Sequence, residues 1–218
     1  MAKIEAATGP AFDDRAESAL DWARANAKYI GIAVVIVALA VLVWVFYRQY
    51  QNSQAAQAET QLSRARQSYA QGNLPLAQTD LRRVVSRYEG STAGSQAAML
   101  LAQTYFEQGK ADSGLAVLSQ GEPAGADRAA FEALKGAGYE LKEEYAQAAQ
   151  HYRDAAERTD VKLAKHGFLA DAARALAAAG NKAEAAKIWQ TLAEDETAPI
   201  SAEARVRLGE LTAIPAAR

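Results

Sequence analysis

His151 and His166 are the two imidazoles in a chain of 218 residues that contains no cysteine. A transition-metal centre needs three or four nitrogen, sulfur or carboxylate ligands at defined spacing. The sequence around the histidines is read as holding no HExxH, no His–carboxylate pair at ligand spacing and no third ligand. Both are therefore expected to be solvated or core-edge side chains. The lack of cysteine excludes disulfides, thiolate metal sites and a lipid-modified cysteine anchor. Phosphate chemistry would need a glycine-rich loop, but GxxxxGK[ST] does not occur and the glycines stand singly. Ser113-Gly114 and Ser119-Gln120-Gly121 have no preceding strand to form a nucleophile elbow. The carboxylates Glu143-Glu144 and Glu194, Asp195, Glu196 are adjacent in sequence and read as solvated charge. The expectation is a protein that is not an enzyme, with no catalytic residue, metal, cofactor or small-molecule substrate.

The elements that would position a binding surface instead are helices. Alanine is abundant, proline numbers five, and strand-type alternation is scarce. Helices with close contacts follow, and the expected fold class is all-α. Beyond residue 28 the chain carries 20 basic and 21 acidic side chains. That balance lacks the basic face that nucleic-acid binding requires.

Residues 29–47, YIGIAVVIVALAVLVWVFY, hold no charge, and Lys28 and Arg48 close the two ends. As a helix they reach roughly 28 Å, about the thickness of a bilayer's hydrocarbon core. A buried core helix of this length would keep some polar side chains. A cleaved signal peptide would have a shorter apolar region behind a short basic stretch. Here 28 residues with five acids and four bases come first, although Ser53-Gln54-Ala55 offers a small-x-small site. The segment is read as a single-pass transmembrane helix, contacting lipid through Tyr29–Tyr47. Tyr29, Trp44, Tyr47 and Tyr50 suit the headgroup region at its ends. Arg15, Arg24 and Lys28 precede it and Arg48 follows, which predicts a cytoplasmic N-terminus.

Five segments result. Residues 1–28 are an acidic cytoplasmic segment in which Pro10 and Asp13 start a short amphipathic helix, with residues 1–9 disordered. Residues 29–47 span the membrane, 48–57 form a juxtamembrane linker helix, 58–212 a repeat domain and 213–218 a frayed tail.

The repeat domain shows a turn residue, then a small residue five positions on, then a bulky one four further on. Gly72, Ala77 and Leu81 fit; so do Gly109, Gly114 and Leu118; Glu143, Ala148 and Tyr152; and Gly180, Ala185 and Trp189. Twelve residues before each small residue stands another: Ala65, Ala102, Gly136 and Ala173. Three residues later come Ser68, Tyr105, Tyr139 and Leu176. A small side chain on each of two antiparallel helices lets their backbones approach, and glycine ends the first helix because it tolerates positive φ. Gly121–Gly125 reads as a loop, and Asn73-Leu74-Pro75 as the turn of unit one. Ala198-Pro199 ends unit four. Ser201 is the expected N-cap of a last helix to Leu211, with Glu203 and Arg207 at i, i+4 spacing.

This pattern resembles the tetratricopeptide repeat over roughly 56–195, in four units starting near Glu59, Ser95, Ala130 and His166. It departs from the family in lacking the early tryptophan, in Ser68 for tyrosine and in Glu143 for glycine. The resemblance implies an α-solenoid of about four helix pairs, closed by a C-terminal capping helix. It also implies a concave groove lined by the first helix of each unit. The matching positions are Glu59, Leu62, Arg66 and Tyr69; Gln96, Met99, Gln103 and Phe106; Ala130, Ala133, Ala137 and Glu140; and Gly167, Ala170, Arg174 and Ala177. Arg66, Tyr69, Met99, Gln103, Phe106 and Arg174 have the chemical reach to hold a peptide or partner helix. For Tyr69 and Phe106 the alternative is a place in the core.

The layout of the whole chain resembles the ancillary subunit of the bacterial Sec translocon. The acidic pre-anchor helix, the aromatic exit of Trp44, Tyr47 and Tyr50 and the degenerate repeats carry that resemblance. It implies a bacterial inner-membrane scaffold with a periplasmic C-terminal domain. Its partners would be translocon subunits, a periplasmic chaperone or an emerging chain. The alternative is an anchored repeat protein serving envelope assembly or cell division.

Overall fold

The computed structural model describes residues 22, 24–121, 123, 125–195 and 199–213. Most of the amphipathic helix expected before residue 28 lies outside the described residues. So do residues 1–9, parts of the 121–125 loop, Ala198 and the tail from 214 onward. The described elements are helical: α1 Ala27–Ala70, α2 Leu74–Arg87, α3 Thr92–Glu107, α4 Ala111–Gln120, a 3-10 turn Gly125–Asp127, α5 Arg128–Leu141, α6 Tyr145–Glu157, α7 Lys162–Ala178, α8 Lys182–Glu194 and α9 Ser201–Thr212. The chain divides into two compact units, Met1–Gln54 and Ala55–Arg218.

In the first unit, α1 carries the apolar segment. It is long and apolar enough to cross a membrane. Val34, Val37, Leu42 and Phe46 are more than half exposed, so no protein core accounts for their apolarity. Arg48 lies over Trp44, 5.3 Å from the ring centroid.

The second unit is a solenoid of helix pairs. Its turns repeat one hydrogen-bond pattern four times. The amide of Asn73 bonds the carbonyl of Ser68, Lys110 that of Tyr105, Glu144 that of Tyr139 and Asn181 that of Leu176, at 2.9–3.0 Å. Each is the wide bond that closes a helix C-terminus around a left-handed residue. Gly72, Gly109 and Gly180 hold that place with φ of 75°, 70° and 83°. Glu143 holds it in unit three at φ 60°, the single non-glycine positive φ among the described residues. Asn73 and Asn181 then cap the next helix, each side chain accepting from an amide three residues on.

The paired small residues lie where the helices meet. Ala65, Ala77, Ala102, Ala148, Ala173 and Ala185 are wholly buried, and Gly114 and Gly136 are buried too. Leu81, Leu118, Tyr152 and Trp189 fill the space beside them. Burying a side chain of this size stabilises by about 1.5–3 kcal/mol. The core runs along the solenoid in three clusters. One centres on Leu62, Leu81 and Leu101, one on Leu118 and Phe131, and one on Tyr152, Trp189 and Leu192.

Helix α9 covers the last apolar face, with Ala204 buried and Leu208 and Leu211 packed against the third cluster. A solenoid needs such an end cap. Ser201 is the first helical residue rather than the cap. The cap position is Ile200, which has no side-chain bond to the helix. Glu203 and Arg207 form the expected contact at 3.6 Å.

Candidate protein-binding groove

The first helices of the four units, α1, α3, α5 and α7, line one open cavity of about 640 Å³. Arg66 and Tyr69 come from unit one, and Gln96, Met99 and Gln103 from unit two. Unit three contributes Ala130, Ala133 and Ala137, whose small side chains widen the floor. Four of the six side chains singled out from the sequence, Arg66, Tyr69, Met99 and Gln103, therefore share one surface.

Phe106 and Arg174 do not join them. A β-carbon on Gly114 would stand 2.2 Å from the Phe106 ring, and one on Gly138 would stand 2.7 Å from it. The ring occupies the volume that those two glycines leave empty, so Phe106 packs inward between helices. Arg174 borders a separate recess with Trp189, Arg207 and Leu211. Its guanidinium lies 5.7 Å from the Trp189 ring centroid and bonds Asp171 and Glu203. Of the wider set, Leu62 and Ala170 are fully buried core residues.

The sequence reading missed Leu100, Leu134, Tyr152, Phe168 and Asp171, which also line the cavity. Leu100 and Leu134 each follow an expected groove residue directly. Phe168 and Asp171 follow Gly167 and Ala170 in the same way. Unit four thus presents positions one residue later, about 100° around its helix.

Polar contacts brace the walls. Arg66 donates to Gln96 Oε1 at 2.6 Å. Tyr69 donates to Glu107, which also accepts from Gln103 at 3.3 Å; the charge-assisted bond raises the Tyr69 hydroxyl's pKa. At the far end Tyr152 donates to Glu140 Oε2 at 3.0 Å. Burial pushes the Glu140 carboxyl up, with the Tyr152 bond opposing and the Asp171 charge reinforcing. Burial likewise pushes Asp171 up, against the pull of Arg174.

Both histidines have carboxylate partners, contrary to the reading from sequence. His151 Nδ1 lies 2.9 Å from Glu132 Oε2, and its ring stacks on Tyr139 at 5.0 Å. His166 Nε2 lies 3.3 Å from Asp195. Glu132 is 19 residues from His151, a separation that helix spacing does not reveal. Glu132, His151 and Asp154 bring potential ligand atoms within 4.8 Å of one another. The Lys135 ammonium is the cation already seated there, 3.4 Å from Glu132. Gln150 holds Asp154 at 2.9 Å. The cluster is an ion-pair network between α5 and α6.

A second cavity, of about 400 Å³, lies among α2, α3 and α4, bordered by Arg82, Val85, Ala98, Val117 and Gly121. It brings together no group with nucleophilic or metal-binding chemistry.

No curated protein matches the chain. Among solved structures it is similar to the nearly identical TPR-like repeats of a putative kinesin light chain from Podosopora anserina. The identity is 15%, the TM-score 0.57, and the match covers 72% of this chain and 86% of that one. A variant of the same protein matches at 15% identity and TM-score 0.58, over 72% and 85%. These likenesses concern the fold. The family model for the tetratricopeptide repeat-like domain matches residues 58–170. That is just over half of the sequence, and the chain belongs to the tetratricopeptide repeat-like family.

Proposed function

We propose that the chain is a membrane-anchored scaffold for protein–protein interaction. One observation carries the reading: a single open groove crosses the first helices of all four units, apolar along its floor and polar at its walls. Such a surface suits a peptide or helix, which gains apolar burial along its length and hydrogen bonds at its edges. The apolar stretch of α1 supports anchoring through Tyr29–Tyr47. Confinement to a bilayer raises the groove's effective concentration near a membrane partner.

The accessory factor of a bacterial secretion translocon is the reading we favour for the whole chain. It links the translocon to a periplasmic chaperone or emerging chain. The inner membrane is its location, with the N-terminus cytoplasmic and the repeats periplasmic. Support comes from three bases before the apolar segment against one after it, and from the aromatic residues at its exit. Copurification of the full chain in mild detergent tests this. Translocon subunits should be enriched. Their absence alongside enriched division or cell-wall proteins sinks the translocon assignment and favours an envelope-assembly role. A tag at Arg218 that is modified from the cytoplasmic side overturns the topology.

A further inference from the structure

Charge is distributed unevenly along the groove. At its unit-one end, Arg66 has a neutral partner, Gln96. At its unit-four end, three carboxylates gather: Glu140 from α5, Asp171 from α7 and Glu203 from α9. Arg174 serves Asp171 and Glu203 together. Arg207 is shared between Glu203 and Glu210, at 3.6 Å and 3.1 Å. Glu140 is bonded by the neutral Tyr152 hydroxyl. The carboxylates thus outnumber the guanidiniums at this end. Asp171 and the Tyr152 ring face the cavity, so part of this excess is presented to an occupant.

We propose that the unit-four end of the groove, at Asp171 and Glu140, receives a lysine or arginine side chain from a partner segment whose apolar stretch lies along Ala130, Ala133 and Ala137. This rests on the reading of the groove as a protein-binding surface. The geometry sets an orientation too. The partner's cation points toward unit four, and an acidic group or a helix C-terminus points toward Arg66. A segment with the opposite polarity would bury an acid against Asp171 and leave Arg66 facing a cation. The half-buried setting makes the discrimination larger than on an open surface, because water screens it less. Burial raises the pKa of both carboxylates. The receptor therefore discharges on mild acidification, through the range just above ordinary carboxylate values.

The test uses the full chain in nanodiscs of zwitterionic lipid and two fluorescent peptides. Both share one alanine–leucine stretch; one ends in two lysines, the other in two glutamates. Fluorescence anisotropy should show the lysine peptide binding at least about 10-fold tighter at low salt. Glu140→Gln, which keeps an acceptor for Tyr152, should reduce the preference, and Glu140→Gln with Asp171→Asn should abolish it. Acidification to about pH 4.5 should weaken the lysine peptide selectively. Circular dichroism confirms that each variant is folded. Equal binding of the two peptides, or a preference that survives the double substitution in a folded variant, overturns the cation receptor and leaves the groove standing. Failure of both peptides to bind overturns the groove reading itself.

Discussion

The ring of Tyr152 lies across Gly136, with its Cε1 2.8 Å from the point where a β-carbon on Gly136 would stand. The same tyrosine reaches Glu140, one helical turn further along α5, with its hydroxyl. A missing methyl group on one helix therefore sets the position of a groove-lining side chain on the next. It also sets the environment of the carboxylate that this side chain bonds.

Gly136→Ala is expected to destabilise the repeat domain although alanine is the better helix former. Alanine gains about 1 kcal/mol of helix propensity. Displacing a buried aromatic ring costs about 1–3 kcal/mol. The net loss should be about 1 kcal/mol in urea denaturation. Tyr152→Phe, which keeps the ring and loses the hydroxyl, separates the packing from the bond to Glu140. An unchanged midpoint in Gly136→Ala would mean that the two helices are free to part.

Glu143 gives the converse case. It sits at φ 60° where the other three units place glycine. A non-glycine residue in this conformation costs about 1–2 kcal/mol, while glycine loses some of that advantage to chain entropy. Glu143→Gly should raise stability by about 0.5 kcal/mol, read as a higher midpoint in thermal or urea unfolding. Gly180→Glu should lower it by a comparable amount. Opposite signs at equivalent turns would confirm that backbone conformation decides, since Glu143 forms no ion pair with a described residue in this structure.

The solenoid was legible because its rules are local. A turn residue, a small residue and a bulky one recur at fixed offsets, and each unit folds by the same hydrogen bond. Glu143 fitted the register despite its side chain, since spacing is set by the turn and not by the residue that fills it. The groove was less legible because orientation around a helix axis depends on neighbours. Phe106 has the position of a groove residue. The empty space beside Gly114 and Gly138 draws it inward, and those glycines lie on other helices. Unit four presents Phe168 and Asp171 in place of Gly167 and Ala170, a shift that only packing reveals. The pairing of Glu132 with His151 was invisible for the same reason.

That pair makes a pH prediction. Burial disfavours the Glu132 carboxylate, but the hydrogen bond from His151 and the bond and charge of Lys135 outweigh it and hold its pKa below the ordinary value. A lowered folded-state pKa means that the folded protein keeps the charged form more readily than the unfolded chain. The stabilisation is complete above the unfolded value, and it is lost as pH falls through the folded one. Glu132→Gln should therefore cost about 1–2 kcal/mol near neutrality. Below about pH 4 the difference from the parent should shrink. Urea midpoints measured across that range check it. A difference that stays constant with pH would assign the loss to shape rather than to charge.

The apolar stretch of α1 yields the last prediction, and here the sign of a single charge decides between compartments. Val37 lies near the middle of residues 29–47 and is exposed. In a bilayer this position would meet hydrocarbon, where an arginine costs about 2.5–3.5 kcal/mol for insertion. In water the same substitution on an exposed helix face changes stability by less than about 0.5 kcal/mol. Val37→Arg should therefore shift a large fraction of the expressed chain from the alkali-resistant membrane pellet to the soluble or aggregated fraction. The repeat domain, excised from Ala55 onward, should show the same melting curve whatever stands at position 37 of the parent. Val206→Arg, an exposed apolar position in α9, is the matched control and should leave fractionation unchanged. If Val37→Arg remains in the pellet as fully as the parent, the segment does not insert, and the anchoring on which the scaffold reading depends fails with it.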